Sequence, residues 1–118
     1  MFFEATIEQA FGKPYVNLSE TEMSVVDRYF QGLLQIPEET YIALDVGVTN
    51  KRDQREDLSK LTMPVLYVAG KNCFFYKMQG EVVRLTLESK LITIEDAGHF
   101  CWVNQPETFN REVHEFLQ

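Results

Sequence analysis

The side chains best able to do chemistry lie in two short segments of the sequence. His99 sits in the run Asp96-Ala97-Gly98-His99-Phe100, and Cys73 follows Gly70-Lys71-Asn72. An imidazole exchanges protons near neutral pH, and a thiol becomes a nucleophile once a neighbouring base takes its proton. His99 therefore suits a general base, with Cys73 as a candidate nucleophile. The alternatives are a His99 that only caps its loop and a Cys73 that fills a small space.

The other cysteine and histidine are expected to be structural. Cys101 lies between two aromatic residues and is expected to pack under its loop. His114 falls on the polar side of the final helix and is expected at the surface. Because Cys73 and Cys101 lack the spacing of a zinc site, neither a metal nor a cofactor is expected. A link between the two thiols, or a metal held by them and His99, has no spacing signature in its favour.

Aromatic side chains accompany both segments. Phe74 follows Cys73 directly, and Phe100 and Trp102 come just after His99. Such side chains line pockets for acyl or aromatic substrates, but they are also common in cores. Both alternatives stay open, and Phe74, Phe100 and Trp102 are taken as candidate substrate-binding residues.

The second half of the chain has the pattern of alternating strand and helix. We predict strands over Val65–Ala69, which Gly70 ends, and over Lys90–Glu95, with a helix over Tyr76–Glu88 between them. The first strand is apolar enough to be buried on both faces of a parallel sheet. The carboxyl ends of neighbouring parallel strands meet at one edge, so the two reactive loops should lie close together. A final helix begins at Pro106. It is expected to bury Phe109, Val113, Phe116 and Leu117.

The first half reads as helical, and the change in character near Asp57 divides residues 1–57 from 58–118. The firmest prediction is a helix over Glu20–Leu34, because Ser19-Glu20-Thr21-Glu22 is a capping-box pattern ahead of apolar residues spaced by three and four. Pro37 ends it, and a second helix is predicted over Glu38–Val46. A weaker helix is predicted over Glu4–Phe11.

Residues 58–118 resemble the C-terminal end of an α/β-hydrolase. The run Leu58–Gly70 resembles the approach to the seventh strand, Ala97-Gly98-His99-Phe100 the loop of the catalytic histidine, and Asn104–Asn110 the start of the final helix. The resemblance implies a truncated α/β-hydrolase fold, with a helical N-terminal half followed by a β-α-β-α unit of parallel strands. Residues 1–57 are then similar to the end of the helical lid region.

The resemblance implies hydrolysis of an ester, amide or related acyl bond, with His99 as general base. The family's acid position falls on Cys73, which carries no carboxylate, although the neighbouring Asn72 is a candidate to orient the ring. The sequence contains no Gly-x-Ser-x-Gly motif for the nucleophile. The resemblance also places the oxyanion-hole residues on strands outside this chain. The isolated chain is therefore expected to be inactive unless another part completes a site for a small acyl substrate.

Composition excludes some classes of partner. The formal net charge of −7, with basic residues interrupted by acids, argues against nucleic-acid binding. No apolar run approaches membrane-spanning length, and no signal sequence is recognised, so a cytoplasmic protein is expected. Two hypotheses follow: one part of a hydrolase, or a non-catalytic binding module. In the second, the exposed strand edge mediates self-association.

Overall fold

A helical first half precedes a strand–helix unit, as the sequence predicts. The structure is a computed structural model that describes residues 2–118, with side chains from Glu4 onward. The first half holds α1 (Phe2–Phe11), a 3-10 turn (Tyr15–Asn17), α2 (Glu20–Leu33) and α3 (Glu38–Thr49). The second half holds α4 (Arg55–Leu58), β1 (Val65–Gly70), a 3-10 turn (Tyr76–Met78), α5 (Gln79–Leu85), β2 (Ser89–Ile94), α6 (Cys101–Asn104) and α7 (Pro106–Leu117).

The capping box at the start of α2 is confirmed. The Glu22 amide donates to Ser19 Oγ at 3.2 Å, and the Ser19 amide donates to Glu22 Oε2 at 2.8 Å. These two bonds satisfy amide groups that a helix start leaves without partners. From this start α2 carries Val26 into the core, whereas Leu34, just past the last turn, is exposed. The predicted apolar stripe therefore ends before Leu34.

The two strands form a parallel pair, as predicted. Their register runs from Val65 opposite Ser89 to Gly70 opposite Ile94. The connecting helix is shorter than the predicted Tyr76–Glu88, because it begins as a 3-10 turn and ends at Leu85.

Hydrogen bonds at Thr86 explain the early end of the connecting helix. The Thr86 hydroxyl donates to the Val82 carbonyl at 2.8 Å and lies 2.7 Å from the Tyr67 hydroxyl. These bonds anchor the buried Thr86 against β1, where the chain turns extended. The helix therefore stops in time for β2 to begin at Ser89.

Two clusters of buried side chains form the core. One lies around the sheet and contains Ile92, Ile94, Ala97 and Cys101. The other contains Ile7, Phe11 and Val26 from α1 and α2, and Phe100 and Val103 pack against it. Since Phe100 and Val103 follow His99 in sequence, the first half packs directly against the histidine loop.

The expected burial of α7 is wrong. Phe109, Val113 and Phe116 are only half-buried, and Leu117 is 75% exposed. The first four residues of β1 are also half-buried rather than buried on both faces. The cause is the same in both cases. In the part of the chain that the structure describes, β1 pairs with β2 alone, so nothing covers its other edge or the adjoining side of α7.

A second uncovered apolar surface lies on α3. Every residue of this helix is exposed. Its large apolar side chains are Tyr41, Ile42, Leu44, Val46 and Val48, each more than half exposed. An apolar helix of this kind is normally buried against other elements.

None of the helices between residues 2 and 118 is both long and apolar enough to cross a membrane.

Candidate functional site

The loops after β1 and β2 are joined by backbone hydrogen bonds. The Lys71 amide donates to the Ile94 carbonyl and the Asn72 amide to the Ala97 carbonyl, both at 2.9 Å. A Cβ atom at position 70 would lie 2.1 Å from the carbonyl oxygen of Gly98, so only glycine fits at the end of β1. The predicted approach of the two loops is therefore confirmed.

The end of α1 rests on the histidine loop. A Cβ atom at position 98 would lie 2.3 Å from the amide nitrogen of Gly12 and 2.3 Å from the carbonyl carbon of Phe11. Beside this contact, the Phe100 amide donates to the Ala10 carbonyl at 2.9 Å. Gly12 itself has φ +68°, a conformation that suits a residue ending a helix. The loop before His99 is thus held by both halves of the chain.

His99 and Cys73 lie side by side. The distance from Cys73 Sγ to His99 Nδ1 is 3.4 Å, which is within hydrogen-bonding reach for sulfur. Cys73 is half-buried and His99 is exposed, so both can be reached from outside. Asn72 is exposed, and no hydrogen bond from its side chain to His99 is found among the described residues. The neighbour of Nδ1 is therefore a thiol, at the position where the resemblance implies a carboxylate.

Phenylalanine rings surround the imidazole. The centroids of Phe74, Phe75 and Phe100 lie 5.5, 5.9 and 5.7 Å from that of His99. Trp102 is one ring further away, 5.3 Å from Phe100, and is about half exposed. The structure thus brings Phe74 and Phe100 to His99, although Phe74 is about half exposed and Phe100 packs against the cluster of Ile7, Phe11 and Val26. Phe75 lies about as close to His99 as these two residues do.

A groove of about 810 Å³ runs along β1. Of the aromatic residues around His99, its lining includes Phe75 and Trp102 but not Phe74 or Phe100. Its floor is β1 from Leu66 to Gly70, and Cys73 and His99 lie at the carboxyl end of that strand. The side chains from α5 and the preceding turn are Met78, Gln79 and Val82, and those from α7 are Phe109, Val113, Phe116 and Leu117. Since α5 and α7 both contribute, the free edge of β1 is lined by apolar side chains from two helices.

Glu22 is a residue whose role at the site the sequence did not reveal. It is only 2% exposed, and its carboxylate accepts from Lys13 Nζ at 2.9 Å and from Asn104 Nδ2 at 2.5 Å. Asn104 Oδ1 in turn accepts from the Gly98 amide at 2.9 Å. The sequence marked Glu22 only as a capping-box residue. No local pattern could have shown its contact with Asn104, 82 residues away.

The ionisation of Glu22 reflects two opposing effects. Burial on its own raises the pKa of this carboxyl group, and the hydrogen bonds from Lys13, Ser19 and Asn104 lower it. The hydrogen bonds prevail, so the pKa lies below its usual value. Glu22 is therefore a buried, charged acceptor that ties the start of α2 to the histidine loop.

The remaining cysteine and histidine lie where the sequence places them. Cys101 is 3% exposed, and burial raises the pKa of its thiol. His114 is exposed on α7, and its Nε2 atom lies 2.7 Å from the side-chain nitrogen of Gln118. Between residues 2 and 118, no three His, Cys, Asp or Glu side chains are grouped so that they could hold a metal ion.

Comparison with known proteins relates the chain to an esterase. The chain is 26% identical over 125 residues to a pimeloyl-acyl-carrier-protein methyl ester esterase of Aliivibrio salmonicida. The matched region covers 98% of the chain and 46% of the esterase, so the chain spans about half the length of this relative. No family model matches the chain. The similarity to an esterase supports an origin among the hydrolases.

Proposed function

We propose that this chain is the C-terminal part of an α/β-hydrolase, in which His99 serves as the general base for hydrolysis of an acyl ester or a related bond. The observation that carries the proposal is the groove along the free edge of β1, with His99 at its end. A relative whose name describes an ester-cleaving enzyme, and which is about twice as long, agrees with it.

The uncovered surfaces support the need for a further segment. A parallel strand is normally covered on both faces and paired on both edges, because unpaired backbone groups and apolar side chains are costly to expose. In the described residues β1 has helices on both sides of its free edge but no strand paired with that edge. A neighbouring strand would satisfy the edge and cover Val113 and Phe116. The segment that supplies this strand would also cover the exposed side chains of α3.

The orientation of His99 determines which catalytic groups the added segment must supply. Because Nδ1 faces Cys73, the other ring nitrogen, Nε2, is left to accept a proton from a nucleophile. No serine of this chain has the elbow motif, so the nucleophile and the oxyanion-hole donors come from the added segment. Cys73 supplies no carboxylate to stabilise the imidazolium, so activity of the completed site should be low.

In a Cys73→Ser background, which removes the chain's own accessible thiol, the isolated chain should not turn over p-nitrophenyl acetate faster than the same chain with His99→Ala. The reason is that a base without a positioned nucleophile and oxyanion hole lacks most of the catalytic machinery. Release of p-nitrophenol at pH 7.5 measures both rates. A clear rate that depends on His99 would contradict this expectation.

The fragment proposal is tested by adding the missing part. The part of the similar esterase that lies outside the matched region is co-expressed with this chain, and the complex is isolated. We expect a complex with ester hydrolysis that His99→Ala abolishes. Val113→Asp places a charge in the groove and should prevent the complex, whereas His114→Asp, exposed at the next position, should not. If no complex forms, or if both variants form it equally well, the proposal fails.

The same open edge favours a second candidate, a self-associating module without catalytic activity. An unpaired strand between apolar helices provides a surface on which two copies can pair. In sedimentation experiments the chain alone should form a dimer or larger species, and Val113→Asp should shift it to monomer. A monodisperse monomer with a cooperative thermal transition would contradict self-association.

A further inference from the structure

We infer that Cys73 and His99 form a nucleophilic thiol–imidazole pair, and that Cys73 accepts an acyl group from an acyl thioester. This inference does not require the missing nucleophile, because both reacting side chains belong to this chain. It requires the groove along β1 to be open, as it is in the chain alone, and is therefore tested on the isolated chain. The product would be a chain acylated on Cys73 Sγ.

The geometry meets the requirements for an activated thiol. A nucleophile and its base must lie within hydrogen-bonding reach, and Sγ of Cys73 is 3.4 Å from Nδ1 of His99. The thiol must also be accessible, and Cys73 is half-buried beside an exposed imidazole. A thiol that merely filled space would not need a ring nitrogen as its neighbour. The pair is therefore arranged for proton transfer from sulfur to nitrogen.

Cys101 lines the same groove but is a buried thiol, which we expect to be unreactive. Both cysteines line the groove, but Cys101 is 3% exposed and burial raises the pKa of its thiol. It has no comparable hydrogen bond to a histidine among the described side chains. The chain thus contains an internal control for the reactivity of Cys73.

The groove favours an acyl group with a hydrocarbon chain. It starts at Cys73 and continues between Met78 and Val82 on one side and Phe109 and Val113 on the other. A hydrocarbon chain placed there leaves water for an apolar surface, and each further methylene adds to the stabilisation. A thioester is the suitable donor, because a thiolate is a good leaving group and the exchange needs no oxidant.

The reaction balances within the pair and the donor. As Cys73 Sγ attacks the thioester carbonyl, His99 Nδ1 takes the thiol proton and the carbonyl π electrons move onto oxygen. When the carbonyl re-forms, the bond to the donor sulfur breaks. The leaving thiolate then takes the proton from His99 Nδ1–H. One carbon–sulfur bond forms, one breaks, and no net charge is transferred.

The test uses the octanoyl and acetyl thioesters of N-acetylcysteamine with the folded chain. Intact mass and peptide mapping should show a single acyl group on Cys73, formed faster from the octanoyl than from the acetyl donor. His99→Ala should slow the reaction by about tenfold or more, because its proton acceptor is lost. Cys73→Ser should remove the adduct, and His114→Ala, at the exposed histidine of α7, should leave its rate unchanged.

Two further measurements compare the reactivity of the two thiols and verify that the histidine variant is folded. Iodoacetamide labels both thiols of one wild-type molecule, so a faster reaction at Cys73 than at Cys101 is read without any variant. Circular dichroism verifies that His99→Ala is folded, and His99→Gln replaces it if that variant unfolds. Equal acylation of the two cysteines in the folded chain would overturn the inference. So would an octanoylation rate that does not change when His99 is replaced.

Discussion

Gly98→Ala should separate the helical half of the chain from the histidine loop and lower the free energy of unfolding by about 3 kcal/mol or more. The added methyl group would lie 2.3 Å from backbone atoms of both Phe11 and Gly12, which cannot move aside as a side chain can. Relief requires α1 to move away, which would also break the hydrogen bond from the Phe100 amide to the Ala10 carbonyl. Urea unfolding measures the loss.

The control for this substitution is Gly32→Ala in α2. A Cβ atom at position 32 meets nothing within 4 Å, and alanine is favoured over glycine in a helix by about 0.5–1 kcal/mol. Gly98→Ala should therefore destabilise the chain, whereas Gly32→Ala should stabilise it slightly. Limited proteolysis between α1 and α2 should also be faster in Gly98→Ala. A Gly98→Ala chain as stable as the wild type would show that α1 does not rest on this loop in solution.

Glu22→Gln should destabilise the chain at pH 7 and make its stability less sensitive to acid. Hydrogen bonds to a charged group contribute about 1.5–3 kcal/mol, and the substitution removes the charge that Lys13 and Asn104 bind. In the folded chain the pKa of Glu22 lies below its usual value, so the folded state binds the proton less readily than the unfolded state.

Acid should weaken the stabilisation that Glu22 provides. This stabilisation is fully present above the ordinary glutamate pKa of 4.5 and is lost as the pH falls through the lower pKa of the folded state. Thermal unfolding between pH 7 and pH 3 should show a smaller decline for Glu22→Gln than for wild type. Glu20→Gln, exposed two residues earlier, should stay within about 0.5 kcal/mol of wild type. Parallel pH profiles for wild type and Glu22→Gln would contradict the role of Glu22.

The sequence predicted those parts of the fold that local rules and strand topology determine. The capping box placed the start of α2, and the apolar runs placed both strands to within a residue or two. The rule that neighbouring parallel strands end at one edge brought Cys73 to His99 before any distance was known. These features depend on a few residues that are close in sequence or on neighbouring strands.

The features that the sequence did not predict depend on contacts between distant residues. The connecting helix ends early because Thr86, just past its last residue, is bonded to Tyr67 of β1, which a helical period cannot reveal. The burial expected of Leu117 needs a further strand beside β1, and none is present between residues 2 and 118. The bond between Glu22 and Asn104 joins the two halves, and neither residue type is unusual at its position.

The hydrogen bond between Glu22 and Asn104 can form only after both residues have been synthesised. Its two residues are 82 positions apart, so α1 and α2 leave the ribosome well before the loop on which they dock. At typical rates of translation, the interval is about 4 to 16 s. During that time the cluster of Ile7, Phe11 and Val26 lacks the cover of Phe100 and Val103, and a chaperone has its best opportunity to bind the nascent chain there. Docking of the helical half on the histidine loop is thus a late step in the folding of this chain.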